Sequence, residues 1–264
     1  MRWDSVYQVC SIVLAFLLNG CGSADHRVLE EVVERVHSLE PGANVSIHNG
    51  DGAVLVYGSD EDNIRVQCVK KAYSQERLNQ IAIDVAKKPG AVSITAKSPP
   101  HQRWAFSDHS GTVDCTIVVP ATASVFTIDL NAGEVVLNGI KGREIHAHLG
   151  DGRIFARNCF TNLDATLDRG TLTVGYDWWE VERFSARLKL EQGNASVFLP
   201  TMSAFHLVAA VAHGKIANDF NDVPLTPSSS SEEMKIDRVI NGGGSTTIQI
   251  QVDRGNIKIA EANP

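Results

Sequence analysis

In FTIDLNAGEV (126–135), IHAHLGDGRI (145–154) and LDATLDRGTL (163–172), one pattern of apolar residues surrounds a glycine. An apolar residue stands seven, five and three places before the glycine, and another stands two places after it. Six glycines have this environment: Gly133, Gly152, Gly170, Gly193, Gly214 and Gly255. All 24 of these positions are apolar in a chain that is 43% hydrophobic, so the pattern is a structural repeat.

Alternation with a period of two predicts strands that bury one face. The glycines stand in turn compositions such as Asp168-Arg169-Gly170, so each is predicted to make a turn between a longer strand and a second, shorter one. Successive glycines are 19, 18, 23, 21 and 41 residues apart, a range in which repeated units stack. No unit can bury its apolar face alone, so the sequence predicts a single-domain, all-β solenoid with coils of about 18–23 residues.

An antiparallel β-sandwich built from hairpins is the alternative fold, because the same turn residues also close hairpins. The apolar columns keep their register while the turn residues vary, which favours the solenoid. One short helix is predicted before the regular repeats, from a cap at Ser74 to about Asn79. Residues 28–39 fit a helix about as well as a strand, and the sequence leaves this segment open.

The chain carries a formal net charge of −7 at pH 7. This charge argues against a nucleic-acid partner and leaves no polybasic patch for a membrane surface. No phosphate-binding loop, nucleotide fingerprint or Cys/His metal spacing occurs, so no cofactor and no metal site are predicted. Asp151, Asp168 and Asp253 occur once per turn without a calcium-binding pattern, and ordinary turn chemistry accounts for them.

Residues 1–20 have the features of an export signal. Arg2 precedes an apolar run over residues 9–18, which is too short to span a bilayer as a stable helix. Leu18-Asn19-Gly20-Cys21 then resembles the bacterial lipobox, whose cysteine is acylated. The resemblance implies that Cys21 anchors the mature chain in a membrane, and the alternative is a buried N-terminal strand or helix.

The predicted organisation has three parts. Residues 1–20 form the signal peptide, residues 21–44 the anchor and linker, and residues 45–264 the repeat domain. Within that domain, residues 45–120 are predicted to cap one end, and residues 121–264 hold the regular repeats.

Two copies of the repeat are irregular. A degenerate copy opens at Val45, with Gly52 in the glycine position but Asn49 in the third apolar column. One register is lost between the last two glycines, where the serine-rich residues 224–233 are typical of a flexible loop.

Three cysteines, Cys68, Cys115 and Cys159, follow the predicted anchor. Cys68 and Cys115 are in phase with inward apolar residues, which favours buried free thiols over a disulfide. Because three is odd, at least one of these cysteines is unpaired.

The outward columns of three successive copies bring together residues with functional chemistry. These residues are His146, His148, Asp164, Thr166, Arg187 and Lys189. If the copies stack, neighbouring side chains lie about 5 Å apart and form one patch. Such a patch could bind an acidic sugar or a metal or support acid–base chemistry, and the plainer interpretation is a solvated face with an Asp164–Arg187 ion pair.

Trp178 and Trp179 stand where the spacing between glycines is four to five residues longer than in the preceding copies. A protruding aromatic pair would be an anchor for a glycan or a protein, whereas the alternative is a loop that folds back over the strands. Trp104, between residues 99 and 111, could belong to the same surface or to an end cap.

Over about residues 45–259 the chain resembles the bacterial putative-adhesin family. The resemblance rests on structural motifs: Val45-Ser46-Ile47, Gly52-Ala53-Val54 with Gly58, Ile64-Arg65-Val66, residues 113–120, the repeated Leu-x-x-Gly-x-Ile units and Phe198-Leu199-Pro200. It implies a β-solenoid at the cell envelope and carries over no catalytic residue. The Trp178-Trp179 insertion departs from the family pattern.

The predicted function is a lipid-anchored binding or scaffolding protein of the cell envelope, without catalysis. We expect an outer-membrane lipoprotein that faces the periplasm or the cell surface, binds a protein or glycan, and can self-associate through the ends of the solenoid. One alternative is a carbohydrate-active enzyme that cleaves acidic polysaccharide, with Asp164 and Arg187 as the residues to test. Another is a periplasmic structural lipoprotein without a ligand.

Overall fold

The computed structural model describes residues 27–40, 42–98, 111–220 and 234–262. The predicted signal peptide with Cys21, the loop that contains Trp104, and the serine-rich segment 224–233 lie outside the described residues. Within the described ranges the protein is all-β, with thirteen strands in one sheet and one short helix. None of the described helical residues forms a helix long and apolar enough to cross a membrane.

The described elements are numbered in their order along the chain. They are β1 (Leu29–Ser38), β2 (Asn44–Ser59), β3 (Asn63–Ala72), α1 (Gln75–Gln80), β4 (Ala82–Lys88), β5 (Ala91–Lys97), β6 (Thr112–Pro120), β7 (Val125–Asn138), β8 (Glu144–Arg157), β9 (Asn162–Gly175), β10 (Ser185–Leu199), β11 (Phe205–Asn218), β12 (Met234–Ile240) and β13 (Thr247–Glu261). The predicted helix is α1, whose first turn is capped by the Ser74 side chain accepting from the Arg77 N–H. The segment left open by the sequence is strand β1.

Seven long strands pair side by side in parallel, in the order β2, β7, β8, β9, β10, β13 and β11. Their glycines stand in one row: Gly52, Gly133, Gly152, Gly170, Gly193, Gly255 and Gly214. Residues of one predicted column therefore lie side by side on neighbouring strands, and they are buried. In the first column, for example, Ile145 lies between Phe126 and Leu163.

The prediction that each glycine makes a turn between two strands was wrong. Each long strand runs through its glycine, where φ lies between +131° and +159°. The apolar residues have odd offsets before the glycine and even offsets after it, so a regular strand would put them on opposite faces. The first arm of each long strand precedes its glycine, and the second arm follows it. A bend at the glycine turns the apolar residues of both arms to the same face, and this is why the pattern changes from odd to even offsets there.

The order of the strands also differs from their order in sequence. β13 lies between β10 and β11, so the last copy in the chain is an inner neighbour rather than the end of the stack. After β11 the chain forms β12, which pairs antiparallel with β11, and then returns to insert β13. The repeat could not indicate this order, because Ile248 and its successors match the columns of both neighbours equally well.

The outermost pairings at both ends of the parallel stack are antiparallel, although β5 and β6 themselves pair in parallel with β2. At one end, the first arm of β2 pairs with β5, which pairs with β4, and the second arm pairs with β6, followed by β3 and β1. Asn49 lies where the neighbour of β2 changes from β5 to β6, and its amide donates to the Val113 carbonyl at 2.8 Å. Asn49, the polar residue in the third column, thus makes a side-chain hydrogen bond where β2 pairs with neither β5 nor β6. At the other end, β12 is the terminal strand.

The preference for free thiols at Cys68 and Cys115 was wrong, because the two residues form a disulfide. They are directly opposite each other on the antiparallel strands β3 and β6, with their Cα atoms 4.1 Å apart. Both are buried, as their phase with the apolar residues predicted. Cys159 is a free, buried cysteine, and burial raises the pKa of its thiol to about 11.

We predict that Gly170→Ala destabilises the protein by about 2–5 kcal/mol. The backbone at Gly170 has φ of +133°, and a Cβ there would overlap the carbonyl oxygen of Gly152. Gly175→Ala is the matched control in the same strand, because a Cβ at Gly175 meets no atom within 4 Å. Denaturant unfolding of both variants tests this; equal losses would contradict the role of the glycine row.

The Cys68–Cys115 disulfide closes 47 residues of chain, and its removal should cost about 2–4 kcal/mol. We expect reductant to lower the denaturation midpoint of the wild type but not that of the Cys68→Ala, Cys115→Ala double variant. Cys159→Ala should retain the sensitivity to reductant, because this cysteine is not in the disulfide. A wild-type midpoint unaffected by complete reduction would contradict the prediction.

Candidate binding surface

The predicted outward residues of three copies do lie side by side. We call the part of each long strand before its glycine the first arm. On the outer face of the first arms, one row runs from His146 to Asp164 to Arg187, and the next row contains His148, Thr166 and Lys189. The parallel pairing without any shift in register is what brings these side chains together.

An open depression of about 410 Å³ lies on this face. It extends the predicted patch by two strands, because the lining residues include His48 from β2 and Thr127 and Asp129 from β7, together with His146, His148 and Asp164. These three additional residues were not predicted as part of the patch. Their positions could have been found by applying the same offsets of six and four residues to Gly52 and Gly133.

Imidazole and carboxylate groups alternate across the depression. The Asp129 carboxylate lies 3.0 Å from His148 Nδ1 and 3.8 Å from His48 Nδ1. On its other side, His148 Nε2 is 3.5 Å from the Asp168 carboxylate. The hydrogen bond with Asp129 raises the pKa of His148, partial burial opposes this, and the Asp168 carboxylate adds to the increase. His148 therefore favours its protonated form between two carboxylates.

Asp164 and Arg187 form the ion pair that the sequence predicted, with 3.1 Å between Oδ2 and Nη1. Their side chains are 36% and 60% exposed, so the pair is worth only about 0.2–1 kcal/mol. Similar cross-strand pairs, such as Arg169–Asp151 at 3.0 Å, occur elsewhere on the outer surface. The pair thus gives the Asp164 carboxylate a basic neighbour but does not by itself mark a reactive group.

The two tryptophans lie away from this depression, in the connection between β9 and β10. Trp179 is half-buried and packs against Tyr176, Phe184 and Phe205, with ring centroids 5.5–5.9 Å apart. Trp178 is 46% exposed, and its indole N–H donates to the Glu180 carboxylate at 2.9 Å. The loop therefore folds back over the core with Trp179, and only Trp178 presents an aromatic surface to solvent.

The chemistry of the depression is that of a polar contact surface. Its histidines are about half exposed, and its carboxylates already have basic neighbours. In the described part of the chain, no group of three or more His, Cys, Asp or Glu side chains is arranged to hold a metal ion. Hydrogen bonding and charge, rather than an enclosed cavity, are what the surface offers to a ligand.

We predict that Asp129→Asn lowers the pKa of His148. The raised pKa stabilises the fold fully below the ordinary histidine value of about 6.5, and this contribution is lost as the pH rises through the folded-state pKa. The substitution should therefore cost more stability at about pH 5.5 than at about pH 9, by no more than about 1 kcal/mol because the pair is half exposed. NMR titration and denaturant unfolding measure the two effects.

Asp151→Asn is the control for this prediction, because the Asp151 carboxylate pairs with Arg169 instead of a histidine. It should leave the pKa of His148 unchanged and cost the same at both pH values. An unchanged His148 titration in Asp129→Asn would refute the proposed cause of the shift.

No protein-family model matches the chain, and no curated protein matches it. A solved structure of a putative cell adhesion protein from Clostridium sporogenes is similar over 88% of this chain and 100% of that chain, with a TM-score of 0.49 and 14% identity. Putative adhesins from Bacteroides fragilis and Parabacteroides merdae each cover 87% of this chain and 97% and 96% of their own, with TM-scores of 0.30 and 0.31 and identities of 9% and 7%. At TM-scores below 0.5, these likenesses support no inference about function.

Proposed function

We propose that this chain is a lipid-anchored, non-catalytic binding module of the cell envelope. The observation that carries this proposal is the polar outer face of the first arms, where parallel strands in constant register hold imidazole, carboxylate and hydroxyl groups in straight rows. Such a surface is rigid and wide, which suits a large partner better than a small substrate. The resemblance to the bacterial putative-adhesin family motifs agrees with this role.

The proposed architecture is a β-solenoid in which each long strand supplies two sides of a coil and each connection supplies the third. Hydrogen bonds between the ends of neighbouring coils support it: Gly139 N–H to the Arg157 carbonyl, Asn158 N–H to the Gly175 carbonyl, and Tyr176 N–H to the Phe198 carbonyl, at 2.9–3.0 Å. Neighbouring coils are therefore hydrogen-bonded to each other in the connections as well as in the sheet. The strands added beyond β2 at one end and beyond β11 at the other would act as caps.

The Cys68–Cys115 disulfide supports a location outside the cytoplasm, because disulfides persist in oxidising compartments. Acylation of Cys21 would then tether the domain closely. Only seven residues lie between Cys21 and Leu29, the first residue of β1, and the eight Cα–Cα steps span at most about 28 Å when fully extended. The module would thus operate next to the membrane that holds it, either in the periplasm or at the cell surface.

Self-association through the ends of the stack is part of the proposal, with β1 and β12 as the terminal strands of the sheet. Val32 and Val36 are more than half exposed on β1. Glu30 and Glu34 alternate with them, and charges of this kind oppose uncontrolled pairing of edge strands. We therefore propose weak and reversible contacts between copies rather than a permanent assembly.

A polysaccharide-cleaving enzyme is the second candidate, since Asp164 and His146 are neighbours at the depression. In that case Asp164→Ala or Arg187→Ala would abolish product release from an acidic glycan. The ion pair and the open surface favour binding without cleavage. A structural lipoprotein without a ligand would make no use of the rows of polar side chains.

Cell fractionation tests the anchor. We expect the wild-type protein in the membrane fraction with incorporated fatty acid, and the Cys21→Ser variant unlabelled in the soluble fraction. Cys10→Ser is the matched control, because Cys10 lies in the predicted apolar part of the signal and should not affect anchoring. Membrane association that is equally strong in all three proteins would contradict the proposed lipid anchor.

Protease treatment of intact and broken cells then locates the module. Cleavage in intact cells would place it at the cell surface and favour adhesion. Protection until the cells are broken would place it in the periplasm and favour a scaffold. Protection after breakage as well would contradict exposure of the module on either side of the outer membrane.

A further inference from the structure

A second open depression, of about 390 Å³, lies next to the one described above. Ser46 of β2, Ser93 of β5 and Lys88 of β4 contribute to it. Thr127 lines both depressions, so the two form one groove with Thr127 at the junction.

The groove runs across the strands, perpendicular to the chain direction. The row Ser93, Ser46, Thr127, His146 and Asp164 follows β5, β2, β7, β8 and β9, with each residue directly opposite the next. These five strands are separated by four spacings of about 4.8 Å, so the row is about 19 Å long. Arg187 extends the row by one strand at one end, and at the other end Ala86 of β4 is opposite Ser93, with Lys88 two residues further along β4.

A second row lies beside the first and consists of Thr95, His48, Asp129, His148 and Thr166. Hydroxyl, imidazole and carboxylate groups are therefore presented twice per strand along the groove. Ile128 and Ala147 also line the depression, but both are buried in the core, so the groove offers mainly the polar side chains of the two rows. These rows suit a ligand with many hydroxyl groups, which can exchange hydrogen bonds with them.

Two lysines without an acidic partner among the described residues lie at the ends of the groove, although the protein as a whole is acidic. The carboxylates of Asp129 and Asp164 are paired with His148 and Arg187. Lys88 and Lys189, near the two ends, have no ion-pair partner among the residues that the structure describes. These two ammonium groups at the ends of the groove therefore favour a ligand that carries negative charge.

We infer that the groove binds a linear acidic polysaccharide whose chain lies across the strands. This inference rests on the proposed binding function and names its ligand class. The strand spacing of about 4.8 Å is close to the length of one pyranose unit in an extended glycan, so successive sugars meet equivalent positions on successive strands. Repeated weak contacts then add up along one polymer, which an open groove requires for useful affinity.

Calorimetry with oligogalacturonates of two, four, six and eight units tests the inference on the whole exported domain. We expect the affinity to rise at least tenfold from the dimer to the hexamer and to change less than threefold beyond it, because the groove covers about five to seven strands. Neutral β-1,4-linked glucose oligomers of equal length should bind at least tenfold more weakly. Equal affinity for dimer and octamer, or for charged and neutral oligomers, would overturn the inference.

Thr127→Trp would fill the junction of the two depressions and should weaken hexamer binding at least tenfold. Thr173→Trp is the matched control: Thr173 lies beyond the glycine of β9, on the second arm, where Phe155 and Ser196 are its neighbours. It should bind the hexamer like the wild type. Thermal unfolding must show both variants folded, and equal binding by the two would overturn the assignment of the groove.

The outcome is separate from that of the anchor experiments. If Cys21→Ser releases the protein but no oligogalacturonate binds, the ligand assignment is overturned, and the proposal of a lipid-anchored envelope protein is retained. If the hexamer binds as expected but the wild-type protein is not anchored, the inferred ligand of the groove is supported and the proposed lipid anchor is wrong.

Discussion

The close contact between stacked glycines is the constraint on which the rest of the structure depends. At Gly133, Gly152, Gly170 and Gly193, a Cβ atom would overlap the carbonyl oxygen of the glycine in the neighbouring strand. The positive φ at the same positions bends each strand and returns its apolar residues to one face. Only glycine meets both conditions, so one residue type fixes the bend and the register together.

The constant register places residues of equal offset side by side on the outer face, as it does in the core. Because residues at equal offsets from the glycine are neighbours, His146, Asp164 and Arg187 were predicted to lie side by side, and they do. His48 and Asp129 obey the same rule. His48 was missed because Asn49 made the first copy look degenerate, although that asparagine only bridges the change of neighbour beside β2. Asp129 was missed because the predicted patch used only the copies of Gly152, Gly170 and Gly193.

The order of strands and the disulfide could not be predicted in the same way. Every copy has the same apolar columns, so the columns specify how two copies pair but not which two copies pair, and the insertion of β13 depends on the path of the chain through β12. Cys68 and Cys115 were correctly predicted to point inward. Their bond depends on the antiparallel pairing of β3 with β6, for which the sequence has no repeat to align.

The same geometry supports the proposed recognition of a repeating ligand. Parallel strands in one register present side chains in straight rows about 4.8 Å apart, so the groups point outward together and do not converge on one atom. Convergence normally comes from long loops at the ends of strands, and here the connections between β7 and β9 have only four or five residues. A surface with a constant repeat gains most from a partner with a similar repeat, because one favourable contact is then multiplied along the row.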